Sequence, residues 1–445
     1  MRAPFPAIAV GASLVVASSF ASARECAYFS GNGPSVYSMQ QGLSATYANA
    51  IDRAGLGGFR MGFRIDTEQT WNQALFDRYD ALLEVAREHG LDVMAIILYE
   101  STPPSAGGQA QWNSGYDNTG MNAYVQAFVD VSKTLMSRYG DRIKYWEIWN
   151  EPNAWTNGNY RNDPAHAGGT YMLPLVYSKL LAETYVQNKA TITSHGLHLI
   201  AGGLFAHDIG GGFSPASDYA QELFAQGVWD WMQNNEGRRY PWDGFGYHIY
   251  IDQGGATSSA HVLRFIDAIQ QTKIQATDYV PLWITEFGWQ APRNMSFAQQ
   301  AANLDTALGA FESRGDVART FVFKIDDYDD WGIFNADWTS KAAVATYAAR
   351  AAGCTHLPRQ MLDAGMDARV EGGSDASPID AAIADAGVAT SSDASGASDA
   401  SDTIGTNGAS GDTSASCACR ATPKRGGAAI CALALLAILR RARRR

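Results

Sequence analysis

The sequence predicts an α/β fold: eight parallel strands, each followed by a helix, closed into a (β/α)8 barrel. A disordered tail and a short C-terminal apolar helix follow it. Three observations carry this expectation. Short apolar runs alternate with helical periods from residue 27 to residue 352. Eight such runs can be counted, and eight alternating units suit a barrel. No glycine-rich phosphate loop follows the first run, which disfavours the competing arrangement, a doubly wound open sheet.

In chain order, residues 1–23 read as a secretory leader. Arg2 gives the positive end, residues 7–16 the apolar core, and Ala21-Ser22-Ala23 the small-residue cleavage site. The expected product is exported, to the cell surface or the medium. The folded domain is expected over residues 24–354, because no Phe, Trp or Tyr occurs beyond Tyr347 and a segment without aromatics buries too little to offset its ordering entropy. Strands are expected at 27–30, 59–65, 92–98, 145–149, 198–201, 244–249, 282–285 and 320–325, each rich in β-branched or aromatic residues. Between them, helical periods cover 76–88, 123–139, 175–191, 219–232, 262–272, 297–313 and 341–352. Gly90, Gly140 and Gly196 stand where helices commonly end. Residues 101–119 and 155–170 read as loop insertions on one face.

Residues 355–416 are rich in Asp, Ser, Ala, Gly and Thr, with no Lys or Arg from Val370 to Ser416. Self-repulsion and low hydrophobicity predict an extended, disordered linker. Residues 417–445 hold Cys417-Ala418-Cys419, an apolar run over 426–439 and an arginine cluster at the end. The run is shorter than the ~20 residues of a full membrane span. This arrangement resembles the C-terminal sorting tail of myxobacterial surface proteins. The resemblance implies membrane contact through the tail, before or after processing, and surface attachment.

The formal charge of −11 argues against a nucleic-acid partner, which needs a basic face. The five cysteines are Cys26, Cys354, Cys417, Cys419 and Cys431, without zinc-ligand spacing. Cys26 opens the first strand and Cys354 follows the last helix, so a barrel brings both to its base. Export favours their oxidation, and a Cys26–Cys354 disulfide is expected. A monomer with no metal and no cofactor is expected.

The chemistry lies in two stretches. Tyr145-Trp146-Glu147-Ile148-Trp149 reads as a buried strand, ended by Asn150-Glu151-Pro152-Asn153 because Pro152 cannot donate to a ladder. Pro281-Leu282-Trp283-Ile284-Thr285-Glu286-Phe287-Gly288-Trp289 repeats the pattern. In a barrel, catalytic groups sit at the C-terminal ends of the strands. Two glutamates presented there amid tryptophans, on the fourth and seventh strands, suggest a carboxyl pair acting on a glycosidic bond. Trp155, Trp289 and Trp331 are the loop tryptophans nearest the expected barrel mouth, and indole rings stack on the apolar faces of sugars. Each could equally pack beneath a loop.

Trp149-Asn150-Glu151-Pro152 and Trp283-Ile284-Thr285-Glu286-Phe287-Gly288 resemble the clan A glycoside hydrolases, retaining (β/α)8 barrels, with families 5 and 39 the nearest in look. The resemblance covers most of residues 40–350. It implies that Glu151 is the acid/base, Glu286 the nucleophile, and Asn150 the residue at the sugar 2-hydroxyl. It implies further that Arg64, at the end of the second strand, is the arginine beside the nucleophile. His248 and Tyr250 match the pair bordering it. An alternative for Arg64 is a structural pairing with Glu147. The chain departs from the clan at the end of strand eight, where Phe323-Lys324-Ile325 replaces the usual Trp and Trp331 comes later. The implied function is a retaining β-glycoside hydrolase acting on a carbohydrate. The alternative from another class is a catalytically silent carbohydrate-binding surface protein on the same barrel. A zinc hydrolase is disfavoured by the absence of a His-Glu-x-x-His pattern.

Overall fold

The structure is a computed structural model, and it describes residues 29–31, 49–50, 53–55, 57–65, 68–326 and 330–351. The leader, Cys26, Cys354, the linker and the C-terminal segment lie outside the described residues. Among the described residues, no helix is long and apolar enough to cross a membrane.

Eight parallel strands are described: β1 Phe29–Gly31, β2 Gly58–Phe63, β3 Asp92–Ile97, β4 Tyr145–Ile148, β5 His198–His207, β6 Gly244–Tyr250, β7 Leu282–Phe287 and β8 Val317–Val322. They form one curled sheet in the order β1-β8-β7-β6-β5-β4-β3-β2. Strands neighbouring in sequence are neighbours in space, as right-handed strand–helix–strand units require. β1 pairs in parallel with β8, Phe29 opposite Thr320, and also lies close to β2. β4, β6 and β7 are buried at every position. Such strands read as near-continuous apolar runs, because both faces of a parallel sheet are covered.

The covering helices are α1 Gln73–Glu88, the short α2 Gln109–Trp112, α3 Ala123–Tyr139, α4 Pro174–His195, α5 Ser217–Phe224, α6 Val228–Glu236, α7 Ser259–Gln275, α8 Phe297–Glu312 and α9 Ala342–Ala351. Their starts are set locally. Asn72, Asn122, Ser258 and Ser296 each accept a first-turn amide through the side chain, and α4 begins on Pro174 and ends at Gly196 in the left-handed region, φ 59°. The single helix expected over 219–232 is two helices. The chain breaks between Ala225 and Gly227, and the Trp229 indole N–H donates to the Leu223 carbonyl at the end of α5, at 2.7 Å.

Irregularities interrupt the pairing of β5 with β6, of β6 with β7 and of β7 with β8, and the first two bear on the site. On β5, Ala201 pairs with Phe245 and Leu204 with Tyr247, so β5 holds one residue more than β6 across Gly202-Gly203. On β7, Tyr247 of β6 pairs with Ile284 but His248 pairs with Glu286, leaving Thr285 extra. Each is a bulge, which re-aims side chains and frees backbone groups. The sequence reading ended the fifth strand at Ala201; the strand continues through its bulge to His207.

Candidate active site

The chain leaves β4 at Ile148 and enters a turn in which Trp149 and Glu151 both take positive φ, 76° and 47°. Side-chain residues hold such values only when the surroundings fix them. Here the Trp149 indole donates to the Thr170 carbonyl at 3.0 Å, and its ring is buried edge-on to Trp112. The Glu151 amide donates to Gly203 O at 3.1 Å. Thr170 Oγ1 donates to Glu151 O at 2.8 Å. Asn153 locks the turn to β5 in both directions: its amide donates to Phe205 O and its oxygen accepts from Phe205 N, each at 2.8 Å.

Glu151 and Glu286 come together with His248, one polar atom from each lying within 4.8 Å of the others. Glu286 is held from two sides. Arg60 NH1 donates to Oε1 at 2.7 Å and the Tyr250 hydroxyl to Oε2 at 2.6 Å. Arg60 also donates through NH2 to Asn150 Oδ1 at 2.9 Å, and through Nε to Glu147 Oε2. His248 Nδ1 stands 2.8 Å from Glu151 Oε1 and 3.6 Å from Glu286 Oε2. Its Nε2 is buried with no hydrogen-bond partner among the described residues; toward an ionised Glu151, which can only accept, Nδ1 is the donor.

The electrostatics separate the two glutamates. Burial, helped by the like charge of Glu286, raises the pKa of Glu151, while the His248 bond opposes the rise. Burial pulls the His248 pKa down, but Glu286 and Glu151 outweigh it and the net shift is upward. Burial also pushes the Tyr250 phenol well above its ordinary value, so it remains a donor to Glu286. For Arg60, burial works against the charge and the carboxylates of Glu147 and Glu286 more than restore it. Glu286 therefore faces a permanent cation and a hydroxyl donor, an environment that favours its ionised form.

The cation beside Glu286 is Arg60, not Arg64. Arg64 lies past the end of β2 and pairs with Glu100 at 3.2 Å, with about a third of its side chain exposed; it pairs with neither Glu286 nor Glu147. Trp289 is core rather than mouth: it is buried, and its indole donates to the Ile251 carbonyl at 2.7 Å. Trp331 does reach the site. Its ring meets Tyr250, the donor to Glu286, edge-on at 5.2 Å, and with Tyr250 and Phe205 it forms a small apolar cluster. Trp155 is 41% exposed on the loop after Glu151 and stacks on Tyr160 with 4.6 Å between centroids. The sequence reading missed Arg60 and Phe205, and it gave Glu147 no part in the site. A charged residue inside the apolar run 58–63 was the available signal for Arg60.

Glu151, His248 and Glu286 could in principle hold a cation. Both oxygens of Glu286 already accept from Arg60 and Tyr250, and His248 donates to Glu151, so the arrangement suits proton and charge transfer better. A second group, Asp208, Asp252 and His261, is bonded internally: Asp252 N to Asp208 Oδ2 and His261 Nδ1 with Asp252 Oδ2, both at 2.9 Å.

Two family models match the chain, Glycosyl hydrolase family 1 over residues 65–202 and Glycosyl hydrolase catalytic core over residues 182–341. Among curated proteins, the chain is similar to "Beta-glucosidase-like SFR2, chloroplastic" of Oryza sativa subsp. japonica, 29% identical over 116 residues, or 24% of this chain and 17% of that protein. The chain thus matches less than a fifth of that relative's length. Among solved structures it is similar to the apo form of β-glucosidase 1317, with TM-score 0.50, 16% identity, and 70% and 87% of the two chains covered. It is also similar to the family 1 β-glucosidase from Thermotoga maritima, with TM-score 0.49, 14% identity and coverage of 70% and 86%. A family 39 glycoside hydrolase from the gut symbiont Bacteroides cellulosilyticus WH2 gives TM-score 0.45, 16% identity and coverage of 69% and 60%. The two family models overlap over residues 182–202 and together support a glycoside hydrolase catalytic domain over residues 65–341.

Proposed function

We propose that this glycoside hydrolase is a retaining β-glycosidase on a closed (β/α)8 barrel, with Glu286 as nucleophile and Glu151 as acid/base. The observation that carries the reading is the spacing. A carboxylate oxygen of Glu151 lies within 4.8 Å of one from Glu286. A pair about 5–5.5 Å apart acts by double displacement, whereas inversion needs a gap of about 6.5–9.5 Å to admit water.

In the first step, ionised Glu286 attacks the anomeric carbon while protonated Glu151 gives its proton to the leaving oxygen. The C–O bond breaks, and the sugar is left bonded to Glu286. In the second, Glu151, now a carboxylate, takes a proton from water. The water oxygen attacks the anomeric carbon, and Glu286 departs as the anion. The raised pKa of Glu151 suits it to begin protonated. The His248 N–H then stabilises the carboxylate that the first step creates. Asn150, held by the same guanidinium that holds Glu286, is the candidate partner of the sugar 2-hydroxyl.

The leaving group departs on the side of Glu151, so its sugar meets the loop after Glu151. Trp155, exposed and backed by Tyr160, offers a flat apolar surface there. The family 1 match and the β-glucosidase-like relative favour a β-glucoside or a related β-linked sugar as substrate. The leader-like residues 1–23 and the Cys–apolar–Arg tail support export and attachment at the cell surface.

The test is NMR of the first product formed from a panel of aryl β-glycosides and β-linked oligosaccharides. The β-anomer is expected first, with the α-anomer growing in later by mutarotation. Immediate α-anomer would refute retention, and no hydrolysis across β-gluco, galacto, manno and xylo substrates would favour a silent binding protein.

A further inference from the structure

Glu147 takes no part in the double displacement, yet its side chain is more completely enclosed than either catalytic carboxylate: 0% exposed, against 15% for Glu151 and 9% for Glu286. From β4 it collects donors from three other strands. Arg60 Nε of β2 donates to Oε2, while Gly203 N of β5 and Thr285 Oγ1 of β7 donate to Oε1, each at 2.9 Å. Two of those donors exist because of the bulges. The β5 bulge aims the Gly203 amide inward, and the β7 bulge lets Thr285 and Glu286 both reach the interior.

Stability alone is a weak reason to enclose such a pair, since well-packed apolar residues commonly do as well as a buried ion pair. The position of Arg60 supplies another. Its guanidinium is a rigid plane with donors on several edges. One edge faces Glu147, and the others hold Glu286 and Asn150. Anchoring Nε fixes the plane, and so fixes where both site residues are held. The second anion also competes for the cation. A carboxylate paired to an arginine of its own is a strongly stabilised anion and a weaker nucleophile.

We propose that Glu147 is a positioning residue for the nucleophile: it fixes the Arg60 guanidinium and shares its charge, so that Glu286 is oriented without being over-stabilised. This rests on the reading of Glu286 as nucleophile. The titratable and charged groups that face Glu147 are Arg60 and Tyr177, and around Arg60 stand Glu286, Glu151, His248 and Tyr250.

The experiment uses the full chain, an aryl β-glycoside with an activated phenol, and the phenol burst of the first turnover. Burst amplitude counts competent sites, burst rate reports attack by Glu286, and the pH profile of kcat/KM reports the two carboxylates. Glu147→Gln removes a negative charge near both, so both limbs of the profile are expected to move to lower pH, by about one unit. The burst rate is expected to fall at least ~10-fold. Glu147→Asp keeps the charge on a shorter arm. Its limbs should stay within about 0.3 units of wild type, with a smaller loss of burst rate. A Gln variant with a normal burst rate, unmoved limbs and only a reduced amplitude would make Glu147 a structural strut and overturn the proposal. So would failure of both variants to fold. A wild-type enzyme that inverts, or that hydrolyses no glycoside, would instead sink the underlying reading.

Discussion

Replacing Gly203 by alanine tests how Glu151, the proposed acid/base, is seated. A Cβ added at Gly203 would lie 2.1 Å from His248 Nε2, 2.3 Å from its Cδ2 and 2.7 Å from Thr285 Oγ1. Ordinary contact needs about 3.5 Å, so the imidazole must retreat by roughly 1.4 Å. His248 is fully buried, and its route of retreat is opposed by packing. Its Nδ1–Glu151 bond of 2.8 Å would stretch to about 4 Å, beyond hydrogen-bonding range. Overpacking of this kind costs about 1–3 kcal/mol, which lowers Tm by about 2–10 °C in a domain of this size. A misplacement of about 1 Å at a catalytic group costs on the order of 100-fold in rate. The loss should depend on the leaving group. Hydrolysis of an alkyl or sugar aglycone, which needs the proton, is expected to fall about 100-fold, and that of an activated phenol less than about 10-fold. The assay is kcat on both substrates beside a thermal melt. A folded Gly203→Ala protein within threefold of wild type on the poor leaving group would refute the argument.

Four further outcomes are expected. Glu286→Gln should lose nearly all turnover, whereas Glu151→Ala should still turn over an activated phenol glycoside and, with azide, give the β-glycosyl azide; swapped anomers from the two alanine variants, by NMR, would reverse the assignment. The raised pKa of Glu151 keeps the acid protonated above the ordinary carboxylate range, so kcat/KM should fall only as pH rises through that higher value; His248→Ala removes a donor that favours the ionised form and should move this basic limb to still higher pH. Trp155→Ala should raise KM for oligosaccharides by about 5–50-fold and leave an aryl monoglycoside nearly unaffected, as steady-state kinetics would show. A fragment ending at Cys354 should retain activity and Tm while losing surface attachment, and a large drop in Tm on truncation would contradict this.

The positions of Glu151 and Glu286 were legible because each closes an apolar run with a breaker behind it, Pro152 in one case and Gly288 in the other. The choice of arginine was not. Arg60, Gly62 and Arg64 alternate onto one face of the same run, so a period of two cannot tell them apart. Depth in the sheet decides, and depth comes from pairing: Arg60 stands opposite Met94 inside β2, while the strand ends at Phe63. The bulges were hidden for a related reason. Gly202-Gly203 reads as the end of a strand, since nothing local says that Glu147 will take one amide and Tyr177 the other. Trp289 looked like a mouth residue because it follows Glu286 closely, but the Ile251 carbonyl captures its indole and turns the ring into the core.

The two glutamates differ less in their own strands than in what other strands aim at them. Glu286 meets the cation of β2 and the phenol of β6; among the described residues, Glu151, beyond β4, meets one imidazole N–H in a largely buried setting. A shared cavity with equal partners would leave both carboxyls competing for one proton. Unequal partners resolve that competition before substrate arrives. In the proposed double displacement, once Glu286 is bonded to the sugar, the like charge that helped to raise the pKa of Glu151 is gone. The His248 donor then acts with less opposition, and Glu151 is released to serve as a base. The same residue can therefore give a proton in one step and take one in the next, with no movement of the backbone that holds it.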